Sequence, residues 1–205
     1  SADDFFVSEV RRSLLEDPTF LGGGLQSRLE DLLGINGGIR VYTTFNPATQ
    51  QMAIEARNEV LRDKWGVDPF FTVSIAAMDP DNGAVRAMIG GESFDSESQF
   101  NLATQGRRQP GSSFKTFVLV TALQRGIQTN DKVNGEGPCE FPEETEPDGI
   151  YEANNFANDD GEIAEIKDLL LSSSNCGFLK LGQISGLNNI ISTARSMGIQ
   201  SDMDP

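Results

Sequence analysis

The sequence contains no histidine in 205 residues. That absence removes the Ser-His-Asp triad, the Cys-His dyad and every histidine-based zinc site, so any base must be Lys, Asp, Glu or Tyr. Cysteine is almost absent as well. Cys139 and Cys176 are too few for a four-cysteine metal site. They could pair in an oxidising compartment or be two unrelated buried thiols, and the sequence alone leaves both open. Positive charge is scarce: 16 Lys and Arg face 31 Asp and Glu, a net charge of −15. This argues against nucleic acid or anionic lipid as a direct partner. No run approaches the roughly 18 apolar residues that cross a bilayer, and no internal repeat is visible. No metal or cofactor is expected. Asp79-Pro80-Asp81 faintly resembles a calcium loop, but Ala84 stands where that loop needs Gly and Gly90 where it needs Glu.

The chain is long enough for one large domain or two small ones. Residues 3–16, "DDFFVSEVRRSLLE", place Phe6, Val10 and Leu14 on one helical stripe, which Pro18 and "GGG" at 22–24 end. "LQSRLEDLLG" predicts a second short helix. "GIRVYTTF" (38–45) alternates and is rich in β-branched residues, so it predicts a strand. Asn46 and Pro47 suit the N-cap and first position of the helix that follows. Residues 1–68 thus form a small α+β module with a boundary near Asp68-Pro69. Beyond it, two apolar runs flank "PDNG" as a hairpin. Ser112–Leu123 reads as a helix with Phe114, Phe117, Val118 and Thr121 able to share a face. Residues 130–161 are acidic and full of turn residues. They are too long for an ordinary connection and read as a solvated surface insertion. Residues 163–182 predict one or two helices with three serines at the junction, and "LNNIISTARSMGI" a last amphipathic helix.

Two motifs carry possible chemistry. In "RRQPGSSFKT", Ser112 and Lys115 lie three apart in a first helical turn, so their side chains can meet. A serine hydroxyl needs a base, and a lysine serves as one only when desolvation or a nearby cation lowers its pKa. A helix N-terminus disfavours the ammonium and offers free N–H groups to a carbonyl oxygen. Composition alone predicts roughly 0.4 Ser-x-x-Lys matches by chance, and a serine cap after Pro-Gly is ordinary. A phosphate loop is excluded, because Gly106 and Gly111 would require Lys at 112. The second motif is Ser173-Ser174-Asn175, whose plain reading is a helix junction with capping serines. Its functional reading is a second hydroxyl for proton relay and an amide that orients a peptide.

Order and context strengthen the pair. Ser-x-x-Lys followed by Ser-x-Asn, here 61 residues later, is the opening of the signature set of penicillin-binding proteins and class A β-lactamases. "RQPGSSFK" with "FNLATQ" resembles the active-site region of bifunctional, class A penicillin-binding proteins. "GGIRVYTTFNPATQQMA" resembles their interdomain linker, and "DDFFVSEVRRSLL" the segment leading into it. The resemblance spans about residues 4–198. It implies an α+β, penicillin-binding-protein/β-lactamase-like transpeptidase fold, with residues 1–68 as linker module and 69–205 as the N-terminal part of the transpeptidase domain. It implies Ser112 as nucleophile, Lys115 as general base, Ser173 as proton relay and Asn175 as a ligand of the donor peptide, with the Ser112 N–H as half of the oxyanion hole. The implied partners are D-Ala-D-Ala stem peptides and β-lactams, outside the cytoplasmic membrane. In that setting Cys139 and Cys176 are expected to tether the acidic loop near the cleft.

The third signature element, Lys-Thr-Gly, is missing, and Lys180-Leu181-Gly182 sits in helical sequence too close to Asn175 to replace it. The chain is therefore expected to be an internal piece: the family's C-terminal strands would follow Pro205, and the glycosyltransferase domain and membrane anchor would precede Ser1. A β-lactamase reading is disfavoured by the superfluous linker and the lack of a Glu-x-x-x-Asn motif. A non-catalytic, wall-associated muropeptide-binding module is the alternative of a different class.

Overall fold

A computed structural model describes residues 4–35, 37–64, 66, 72–94, 99–142, 147, 149–203. The chain divides into two compact units, 1–108 and 109–205. The expected boundary at 68/69 lies outside the described residues.

In the first unit, α1 (Asp4–Glu16) buries Phe5, Phe6 and Leu14. Its exposed side is stitched by Arg12, 2.5 Å from both Glu9 and Glu16. Asp17 caps the short α2 (Pro18–Leu21) by accepting from the Thr19 N–H. Three glycines then lead to α3 (Leu25–Leu32). α4 (Pro47–Asn58) begins as expected: the Asn46 side chain accepts from the Thr49 N–H at 3.0 Å, and Pro47 follows it. The helix continues as a π-helical turn over Glu59–Lys64. The "PDNG" hairpin also forms, with β1 (Ile75–Met78) antiparallel to β2 (Val85–Ile89). α4 packs on β2 through Gln50, which donates to Met88 O at 3.0 Å and accepts from Met88 N at 2.8 Å. The short α5 (Leu102–Gln105) is capped by Asn101. Because β2 packs against α1 and α4, the hairpin belongs to this compact unit.

The strand expected at 38–45 does not form. Only its end touches the sheet, through Asn46 N donating to Arg86 O (2.8 Å) and Thr44 Oγ1 donating to Val85 O (2.6 Å). Alternation suits a segment to one buried face, but a strand also needs a ladder partner for its backbone. Without one, Tyr42 is 90% exposed.

The second unit is built on α6 (Lys115–Gln124), α7 (Ile166–Leu171), α8 (Asn175–Ser185) and α9 (Leu187–Ser196). Val118 and Ala122 pack with Ile166, Leu169, Phe178, Leu181 and Ile190. Gly186, at φ +82°, turns the chain between α8 and α9. Two corrections arise here. The helical reading of 163–182 gives way at its start to β6 (Ile163–Glu165), which pairs with β3 (Lys132–Asn134). The segment 130–161 is mostly exposed, as a surface insertion should be, but it is built of strands, beginning with β3. It also holds β4 (Cys139–Pro142) and β5 (Ile150–Ala153), paired antiparallel. A disulfide between Cys139 and Cys176 ties β4 to α8, and Phe141 and Ala153 are buried beside it. Covalent anchoring and this small apolar cluster supply the order that the polar composition hid.

Candidate active site

A cleft of about 610 Å³ opens in the second unit, lined among others by Ser112, Lys115, Tyr151, Glu152, Asn154 and Asn175. Ser112 does not sit in an α-helix as expected. It lies in a 3-10 turn, Gly111–Phe114, that runs into α6. Gly111 enters this turn at φ +54°, a conformation that suits glycine. The turn leaves its first N–H groups without helical partners. Ser112 is exposed, and its hydroxyl has no hydrogen-bond partner among the described residues.

Lys115 is half-buried at the first position of α6. Its Nζ donates to Ser173 O (2.6 Å) and Asn175 Oδ1 (2.8 Å) and lies 3.1 Å from Ser173 Oγ. It also stands 5.9 Å from the centre of the Phe178 ring. The expected direct contact between Ser112 and Lys115 is not made, because stronger acceptors from 173 and 175 occupy the amine. Ser173 O and Asn175 Oδ1 can only accept, whereas Ser173 Oγ can also donate. The same three partners therefore fit an ammonium with three donors or a neutral amine with two donors and a lone pair. Burial pushes the Lys115 pKa below the ordinary lysine value.

Ser173 supplies both contacts because its backbone is left-handed, at φ +54°. For a residue other than glycine this conformation costs on the order of 1–2 kcal/mol. It closes the turn between α7 and α8, where Ser173 N donates to Leu170 O and Ser174 N to Leu169 O. Ser174 is the cap of α8, accepting from Gly177 N at 3.1 Å. Asn175 is held at both ends of its amide, since Nδ2 donates to Asn154 O at 2.8 Å.

Of the four residues singled out in the sequence, Ser112, Lys115 and Asn175 line this cleft, and Ser173 reaches it through its contacts with the Lys115 amine, which bonds both 173 and 175. The cleft wall was missed. Tyr151, Glu152 and Asn154 come from β5 and the residue after it, within the supposed insertion. No chemical motif marks them individually; the expected Cys139–Cys176 tether forms and brings this segment to the site. Lys180, in α8, donates to Glu136 O at 3.2 Å, away from the cleft-lining set. No cluster suited to a metal ion occurs among the described residues, and no helix among them is long and apolar enough to cross a membrane.

Residues 73–204 match the penicillin-binding protein transpeptidase domain. Penicillin-binding protein 1A of Pseudomonas aeruginosa is 33% identical over 132 residues, covering 64% of this chain and 16% of that protein. PonA1, a penicillin-binding protein from Mycobacterium tuberculosis, superposes with a TM-score of 0.74 at 29% identity, over 99% of this chain and 46% of that one. Its complex with penicillin V gives a TM-score of 0.72 at 27% identity, over 100% of this chain and 49% of that one. The chain thus spans less than half of either PonA1 structure and about a sixth of the curated relative. With the family match covering well over half of its residues, the chain belongs to the penicillin-binding protein transpeptidase family.

Proposed function

We propose that the cleft is the acylation site of a serine D,D-transpeptidase that cross-links peptidoglycan stem peptides, and that β-lactams trap the same serine. The observation that carries this reading is the Lys115 amine, half-buried and coordinated by Ser173 and Asn175 in a cleft that also exposes Ser112, whose hydroxyl has no partner among the described residues.

The chemistry divides into two transfers. Ser112 Oγ attacks the carbonyl carbon of the penultimate D-Ala and its proton passes to neutral Lys115 Nζ. The new C–O bond displaces the peptide nitrogen, and the proton reaches the departing D-Ala amine by way of Ser173 Oγ, which touches Lys115. In the second transfer an amine of a neighbouring stem attacks the ester carbon and loses a proton. Ser112 Oγ leaves and is reprotonated. Asn175 keeps one N–H and one lone pair for the substrate amide after its bonds to Asn154 and Lys115. The Ser112 N–H supplies one donor for the oxyanion. With a β-lactam the broken amide stays tethered, so no leaving group departs and the ester persists. The penicillin V complex of PonA1 supports this part of the reading. In domain terms, residues 1–68 serve as the interdomain linker and 69–205 as part of the transpeptidase domain. The disulfide supports an oxidising, extracytoplasmic location.

The test is intact mass after incubation with benzylpenicillin, on this chain and on one extended to the length of its relatives. An adduct on Ser112 in the extended protein, absent from Ser112→Ala, is the expected result. A folded extended protein without an adduct would replace this reading with the non-catalytic muropeptide-binding module.

A further inference from the structure

Asn155 stands outside both sequence motifs and is not among the reacting groups, yet it is 7% exposed and makes five polar contacts. Its Oδ1 accepts from Asn175 N (2.9 Å), Ser174 Oγ (3.1 Å) and Cys176 N (3.2 Å). Its Nδ2 donates to Gly135 O (2.8 Å) and Asp159 O (3.3 Å). A helix start normally satisfies its first N–H groups with its own cap residue or with water. Here Ser174 satisfies only Gly177, and the first two N–H groups of α8 go to a side chain twenty residues earlier in the chain.

The surroundings have been cleared for that side chain. A Cβ on Gly161 would strike Gly135 O and come within 2.7 Å of Asn155 Nδ2. One on Gly135 would meet Leu169, Glu162 O and, at 3.0 Å, Ser174 Oγ. One on Gly137 would approach Asn155 Nδ2 at 3.2 Å. Only an amide matches this socket: the two carbonyls need donors, and the two N–H groups and the serine hydroxyl need an acceptor.

The contacts run on to the reacting groups. Asn155 fixes the backbone of Asn175, and the adjacent Asn154 carbonyl takes the Nδ2 of the same residue. With its nitrogen end held, the Asn175 amide can present only oxygen to Lys115. We propose that Asn155 is a positioning residue for acylation: it locks the start of α8 so that Asn175 and, through it, the Lys115 amine are held ready to act on Ser112. This rests on the acylation reading above and adds a residue to it.

The experiment compares Asn155→Ala, Asn155→Asp and the control Asn134→Ala in the intact protein. Asn134 makes only a local pair of bonds, to Glu136, away from the cleft. Two quantities are measured: the second-order rate of benzylpenicillin acylation, and amide hydrogen exchange at Asn175 and Cys176. Asn155→Ala is expected to slow acylation by about 10- to 100-fold, as small displacements of positioned groups do, and to speed exchange at both amides. Asn155→Asp keeps the acceptor and should recover part of the rate, while Asn134→Ala should leave both quantities unchanged. Wild-type acylation and exchange in Asn155→Ala would overturn the proposal. So would an equal loss of rate in Asn134→Ala, or an Asp variant as slow as Ala with unchanged exchange. If wild type itself is not acylated, the functional reading fails, and exchange alone decides whether Asn155 locks the helix start. If Asn155→Ala does not fold, Asn155→Asp against Asn134→Ala decides by the same exchange measurement.

Discussion

Both compact units bury polar side chains, but they use them differently. In the first, Arg28 donates to Leu15 O (2.8 Å) and Gly23 O (2.6 Å), Gln50 clamps Met88, and Asn101 caps a helix. Each of these side chains serves nearby backbone. In the second, Asn155, Ser174, Ser173 and Asn175 form a connected set that ends on the Lys115 amine. Buried hydrogen bonds are needed in both places, since an unpaired buried group costs about 1–3 kcal/mol. Only the second set terminates on a group that can change its protonation. Polar substitutions should therefore alter stability in the first unit and chemistry in the second.

The largest effect tests the second half of that contrast. Lys115→Met should lower the rate of Ser112 acylation by about 10²- to 10⁴-fold, the usual worth of a positioned general base. Its thermal midpoint should shift by only a few degrees, because the methionine keeps the apolar stem and removes a desolvated charge. Acylation rates and thermal unfolding on the same samples check this. A rate within threefold of wild type would break the contrast at its reactive end.

The converse variant is Gln50→Leu. Gln50 is 1% exposed and satisfies both backbone groups of Met88. Removing its amide should cost roughly 1–3 kcal/mol of stability, read by denaturant unfolding, while acylation at saturating folded fraction stays unchanged.

How far the sequence reveals each unit follows from the range of the interactions. Asn46 with Pro47, and "PDNG" between two apolar runs, are local signals, and both elements form where they were expected. Ser112, Lys115, Ser173 and Asn175 were recognisable because their spacing carries a chemical meaning and their wider context resembles a family. The segment 38–45 misled because alternation reports a face and says nothing of a ladder partner. For the segment 130–161 the tether was expected but the strands were not. Its order comes from Cys139–Cys176 and from Asn155 reaching α8, contacts between residues that no local period connects. Ser173 in the left-handed region is likewise set by the turn it closes; the residue type gives no hint of it.

Titration sharpens the contrast further. Burial lowers the Lys115 pKa in the folded protein relative to the unfolded chain. Acylation should rise with pH through a midpoint below the ordinary lysine value of about 10.4, as the neutral amine appears. The sign for stability follows from proton counts. Between the folded and unfolded pKa values the unfolded chain binds more protons, so stability rises with pH across that window. The burial penalty on the ammonium is fully present below the folded pKa and is gone above the unfolded one. Lys115→Met should remove both dependences. An acid limb that persists in the acylation of a partly active Lys115→Met protein would assign it to another group.

The smallest effects come from two helix caps of the same kind in different settings. Asn46→Ala removes one local bond, to Thr49 N, and should cost about 1 kcal/mol with no change in acylation. Ser174→Ala removes the corresponding bond to Gly177 N, but it also removes a donor to Asn155 Oδ1. Ser174 is buried, and its hydroxyl joins the set that reaches Lys115. Its loss should cost a similar amount of stability and in addition slow acylation several-fold. Denaturant unfolding and benzylpenicillin kinetics on the two variants separate the cases. Equal stability loss with unequal rates is the expected pattern, because only the α8 cap is shared with the groups that hold the amine.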